Sequence, residues 1–141
     1  MSKEITLKEL LEIFLRMDGT FILSNEHGSM ELRGNDLYLR PYKQWFTIYH
    51  SEAKSPESRS HLHLKWQTLH SATIVREEGQ TPHLAFHTGA EPVGQPLLTW
   101  YFPSFYDWGN DKTKIPENQG QYEAFVKIYG TAFKFIEPPS T

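Results

Sequence analysis

Apolar residues recur at helical spacing near the N-terminus: Leu7, Leu10, Leu11, Phe14 and Met17. Thr6-Leu7-Lys8-Glu9 has the spacing of a capping box, and Gly19 is a natural stop, so one amphipathic helix is predicted over roughly 5–18. After Gly19 the period shortens to that of strands. Thr20–Asn25, Met30–Arg33, Leu37–Arg40 and Gln44–His50 alternate or run apolar between the turn-forming stretches 26–29 and 34–36. Residues 51–60, rich in Ser, Glu and Lys, read as an exposed loop inside one domain. His61–Trp66, Leu69–Glu78, His83–Thr88 and Pro96–Phe102 read as four more strands, and the aromatic-rich 103–114 as irregular. Pro116-Glu117 opens a second helix, with Tyr122, Phe125, Val126 and Tyr129 as its apolar stripe and Gly130 as its end. Ala132–Ile136 could add a short strand, and Pro138-Pro139 closes the pattern.

The fold class this predicts is α+β: a large, mostly antiparallel sheet of about eight strands, with an N-terminal and a C-terminal helix. The 141 residues fit a single domain over 1–141 with enough chain for a hydrophobic core. Two helices cannot cover both faces of such a sheet. Part of it is therefore expected to curl on itself, to meet a second subunit, or to form a ligand site.

Composition narrows the chemistry. The formal net charge is −3, which leaves no basic footprint, so nucleic acid is not the expected partner. The absence of cysteine excludes disulfides, thiolate metal sites and covalent haem attachment, and favours a reducing compartment. No apolar run is long enough for a signal peptide or a membrane span. A cytoplasmic location is expected. Aromatics make up 14% of the chain, which suits a core and also a flat apolar ligand.

Histidine placement is the most informative local feature. Residues two apart in a strand share a face. His61, His63 and Lys65 therefore project to one side, and Leu62, Leu64 and Trp66 to the other. His83, Ala85 and His87 form a similar row, opposed by Leu84 and Phe86. If the two strands lie close, the rows could flank one cleft. The plainest explanation is a solvated sheet face. A His-x-His strand also suits a divalent metal, but here it is followed by Lys65 and no carboxylate. Haem needs axial imidazole, cations or hydroxyls for its propionates and an aromatic wall. Lys65, Arg76, Arg40 and Lys43 are available cations. Trp45, Trp66, Trp100, Tyr101, Phe105 and Trp108 are available walls.

The block from His61 onward carries a resemblance. It runs His61-Leu62-His63-Leu64-Lys65, then Leu69-His70-Ser71-Ala72-Thr73-Ile74-Val75-Arg76, then Thr81-Pro82-His83-Leu84-Ala85-Phe86. Pro96-Leu97-Leu98-Thr99-Trp100-Tyr101-Phe102 and the helix Gln121-Tyr122-Glu123-Ala124-Phe125 complete it. In order and spacing this is similar to the haem-utilisation family of cytosolic haem carriers and haem-degradation proteins. The resemblance implies a large antiparallel sheet flanked by helices, a homodimer, and haem in a cleft between the sheet and a helical segment. It implies an iron-facing histidine at His61 or His63; a second histidine, found in an earlier hairpin of some members, falls near Ser24 to His27, where His27 alone could take the role and is out of register. The chain departs from the family in the short turn 77–82. It also departs at Phe102–Trp108, where a basic residue is usual.

The expected function is thus haem binding in a carrier or storage role, with His61, His63, Lys65, His27, His83, His87, Arg76, Trp66 and Trp100 as candidate site residues. A non-haem binding or dimeric interaction module, with segment 100–108 buried between subunits, is one alternative. A haem-degrading enzyme is another. No nucleophile elbow or phosphate loop is present, and nothing in the sequence points to catalysis.

Overall fold

Leu7–Phe14 forms the first helix, α1, with Leu7, Leu10, Leu11 and Phe14 buried as the apolar spacing predicts. Thr6 caps it, its Oγ1 accepting from the Glu9 backbone N–H at 3.1 Å. The helix is shorter than expected at both ends. Lys3–Thr6 forms a strand, β1, which runs parallel to the last strand of the chain. Residues 15–18 close the helix as turns, with Met17 N–H donating to the Phe14 carbonyl at 3.0 Å.

The computed structural model describes residues 2–50 and 61–136. The loop expected at 51–60 and the closing Pro138-Pro139 lie outside the described residues. After α1 come β2 (Gly19–Asn25), β3 (Gly28–Gly34), β4 (Leu37–Tyr42), β5 (Trp45–His50) and β6 (His61–Lys65). A 3₁₀ turn (Trp66–Thr68) leads to β7 (Ser71–Val75), β8 (His83–His87) and β9 (Leu98–Tyr101). The short pair β10 (Tyr106–Asp107) and β11 (Thr113–Lys114) lies in the stretch expected to be irregular. Helix α2 (Pro116–Tyr129) and β12 (Ala132–Ile136) follow. The architecture is α+β and mostly antiparallel, with more strands than the sequence pattern suggested.

These strands form a seven-stranded sheet in the order β1-β12-β7-β8-β9-β2-β3, a three-stranded sheet β4-β5-β6, and the β10-β11 pair. Two apolar rows cross the large sheet on one face. One is Phe133, Ala72, Phe86 and Leu98; the other is Ile74, Leu84, Trp100, Phe21 and Leu32. Both helices lie on this face. Phe14 of α1 stacks on Trp100 with ring centroids 4.0 Å apart, and Phe125 of α2 packs against Phe14, Phe102 and Phe133. An aromatic stack of this kind contributes about 0.5–1.5 kcal/mol beyond its buried area. The small sheet turns Leu37, Leu39, Phe46, Ile48, Leu62 and Leu64 into the same core. The helices therefore share one face of the large sheet, and a second, smaller sheet completes the enclosure of the core.

Candidate functional site

The three strands of the small sheet are in register, so their outward residues form a grid. Directly opposed residues of antiparallel strands share a face. The rows are Tyr38–Tyr49–His61, Arg40–Thr47–His63 and Tyr42–Trp45–Lys65. Strand rise and spacing make this grid about 14 Å by about 10 Å. None of its nine positions is acidic. Tyr38 and Tyr42 are 56% and 63% exposed, so the aromatic surface is open to a ligand. Trp45 joins them at the exposed margin, and Lys43, in the turn after β4, lies over the Tyr42 ring at 5.4 Å.

Alternation alone explains why these residues face outward. Phe46, Ile48, Leu62 and Leu64 must be buried, and a period of two leaves their neighbours on the other side. Within the grid, the His63 ring is held on three sides. Thr47 Oγ1 lies 2.8 Å from its Nδ1. The Trp45 and His61 rings meet it edge to face, with centroids 6.3 Å and 4.8 Å away. Thr47 itself is buried, beneath an otherwise accessible surface. Flat aromatic area, three cations without a carboxylate among them, and paired imidazoles together fit the chemical demands of haem.

The other expected site residues are dispersed. His83 and His87 lie on β8 of the large sheet, on the face opposite the helices, so the two histidine rows belong to different sheets. His87 is buried and pairs across with Ser71. His83 is half-buried, with its ring 4.7 Å from that of Tyr101. Burial lowers its pKa below the ordinary 6.5, and the Glu77 carboxylate partly offsets this. His27 sits at the exposed tip of the β2–β3 hairpin, with Nε2 3.1 Å from Glu26. The Arg76 guanidinium lies over the rings of Tyr122 and Phe105, at 5.4 Å and 6.0 Å.

Two tryptophans depart from their expected positions. Trp100 is 1% exposed and stacked on Phe14, so it walls the core and offers no ring face to a ligand. Its strand alternation already carried that signal, because Leu98, Trp100 and Phe102 share a phase. Trp66 was expected in phase with Leu62 and Leu64, but the chain turns at that point. The indole stacks on Phe46 and donates from Nε1 to the Lys43 carbonyl at 3.0 Å, tying the β4–β5 turn beside the grid. Phe102 and Phe105 are buried within this chain, whereas Trp108 of the same segment is 65% exposed. Sequence reasoning missed Tyr38, Tyr42, Thr47 and Tyr49, although Tyr-x-Arg-x-Tyr and Trp-x-Thr-x-Tyr alternate visibly.

A separate hollow of about 490 Å³ lies between the α1–β2 turn and segment 103–121. Arg16, Arg33, Tyr106 and Trp108 line it, and no imidazole does. Among the described residues, no cluster of three or more His, Asp or Glu side chains is placed to hold a metal ion. No described helix is long and apolar enough to cross a membrane.

No family model and no curated protein gives a significant match to this sequence. Solved structures do match. Two structures of ChuX, one described as a heme binding protein, superpose with TM-scores of 0.62 and 0.60 at 10% and 11% identity. Each comparison covers 86% of this chain and 71% of ChuX.

The chain has the ChuX fold.

A structural-genomics protein from Agrobacterium tumefaciens has the same fold, with a TM-score of 0.63 at 15% identity over 89% of this chain and 69% of that one. The likeness to the ChuX structures extends over 86% of this chain. A large, mostly antiparallel sheet with two helices, the fold expected from the sequence, is thereby matched.

Proposed function

We propose that this protein binds haem on the outer grid of the small sheet and carries it in haem-iron utilisation. The observation that carries this reading is the acid-free grid itself, with His61 and His63 side by side among Trp45, Tyr38, Tyr42 and Tyr49, in a chain that shares its fold with a heme binding protein. An imidazole of His61 or His63 meets iron's preference for nitrogen. Arg40, Lys43 and Lys65 offer charge to the propionates, and the tyrosines and Trp45 offer apolar area to the macrocycle. An open sheet face suits a carrier, because a ligand held there can be handed on without a large rearrangement. A homodimer in the cytoplasm belongs to the same reading. In this reading the large-sheet face opposite the helices, with the half-buried Ile22, Val75 and Tyr101, is the docking surface.

Haemin titration followed in the Soret region tests the proposal. The expected result is a saturable shift at about one haem per chain, lost when His61 and His63 are both replaced by alanine. No saturable shift would refute haem binding. Saturable binding that survives the double replacement would move the site to His27 or His83. Light scattering with and without haemin reads the oligomeric state, and a monomer in both would remove the dimer from the proposal.

A further inference from the structure

We infer that Thr47 is the positioning residue of this site: its hydroxyl holds Nδ1 of His63, which fixes Nε2 as the nitrogen presented to the iron. The inference rests on the haem reading above and deepens it. Thr47 and His63 are directly opposed in the β5–β6 register, which brings their side chains together without any loop rearrangement. The Oγ1 to Nδ1 separation of 2.8 Å is a full-strength hydrogen bond.

The direction of this hydrogen bond follows the imidazole tautomer, and ligation of iron through Nε2 requires the tautomer in which Nδ1 donates. A neutral imidazole has one N–H donor and one acceptor nitrogen. A nitrogen that gives its lone pair to iron cannot carry a proton, so the other must. With Nδ1 protonated and donating to Thr47 Oγ1, the Nε2 lone pair is free for the metal. Ligating histidines are typically held in this way by a partner on the second nitrogen.

The surroundings preserve the arrangement. Thr47 is 7% exposed, so the hydroxyl end of this part-buried bond lies at the floor of the grid. Threonine is branched at Cβ, so its hydroxyl has few rotamers in which to wander. The ring edges of Trp45 and His61 restrict rotation of the His63 plane. Arg40 opposes Thr47 from the other side, so the row presents a cation, a buried hydroxyl and an imidazole in sequence.

The test uses the whole chain and two readouts. Long-range proton–nitrogen NMR on the haem-free protein should show His63 as the Nδ1–H tautomer. Thr47→Val, which keeps the branch and removes the hydroxyl, should shift it to Nε2–H. The same variant should weaken haemin binding by about 10- to 100-fold, the usual effect of losing such a partner. Thr47→Ser, which keeps the hydroxyl, should stay close to the parent in both measurements. A parent His63 found as Nε2–H would overturn the inference without needing any variant. Saturable parent binding with an unchanged Thr47→Val affinity would overturn it while leaving haem binding intact. A parent that binds no haemin would sink both.

Discussion

Gly19 opens β2 directly against the buried Trp100. A Cβ built there would overlap Trp100 Cζ2, and would stand only 2.5 Å from both Trp100 Cε2 and the Tyr101 carbonyl oxygen. Neither obstacle can give way easily. The indole is pinned by Phe14 on one face and by Phe102 and Phe21 at its edges. The carbonyl belongs to β9, which pairs with β2 at Thr20–Tyr101. Overpacking a full core costs about 1–3 kcal/mol, and this site belongs at the upper end. The lower backbone entropy of alanine in the unfolded chain offsets about 0.7 kcal/mol. Gly19→Ala should therefore destabilise by about 2 kcal/mol. For a chain of this size that lowers the thermal midpoint by about 7 °C. Urea unfolding followed by tryptophan fluorescence reads the change directly, at an unchanged m-value. Gly28→Ala is the control: a Cβ there meets nothing within 4 Å, and the expected change is within about 0.5 kcal/mol. If the two variants unfold at the same urea concentration, the packing account of Trp100 is wrong.

Two other outcomes follow from single residues. Gly120 lies on an exposed part of α2, where a Cβ meets nothing, so Gly120→Ala should stabilise by about 0.5–1 kcal/mol, seen as a higher thermal midpoint. The pKa of His83 is lowered on folding, so the unfolded chain takes up a proton first as pH falls. Stability should be unaffected by this group well above 6.5, decline as pH falls through 6.5 towards the folded pKa, and then level off. His83→Asn should shrink the difference in urea midpoint between about pH 7.5 and about pH 5.5, and an unchanged difference would count against the assignment.

Most of this protein's local structure follows from its sequence by itself. The buried face of α1, the capping role of Thr6, the proline-led start of α2 and the two-sided character of 61–65 all depend on periodicity over a few residues. The local pattern sufficed there because helix and strand geometry repeat at fixed intervals, and burial of Leu62 and Leu64 forces His61, His63 and Lys65 outward. Tertiary structure decided what those outward residues meet. Nothing local in Lys3–Thr6 announces a parallel strand, since its partner β12 lies at the other end of the chain. The separation of the two histidine rows has the same origin: both alternate alike, but the pairing of β6 with β5 and of β8 with β7 and β9 places them in different sheets. The 3₁₀ turn at Trp66–Thr68 resets the phase after β6, which alternation could not anticipate. The Thr47–His63 contact depends on the register of β5 against β6. Register is fixed only when both strands bury their apolar sides in one core, so the grid and its positioning hydroxyl are products of the folded chain as a whole.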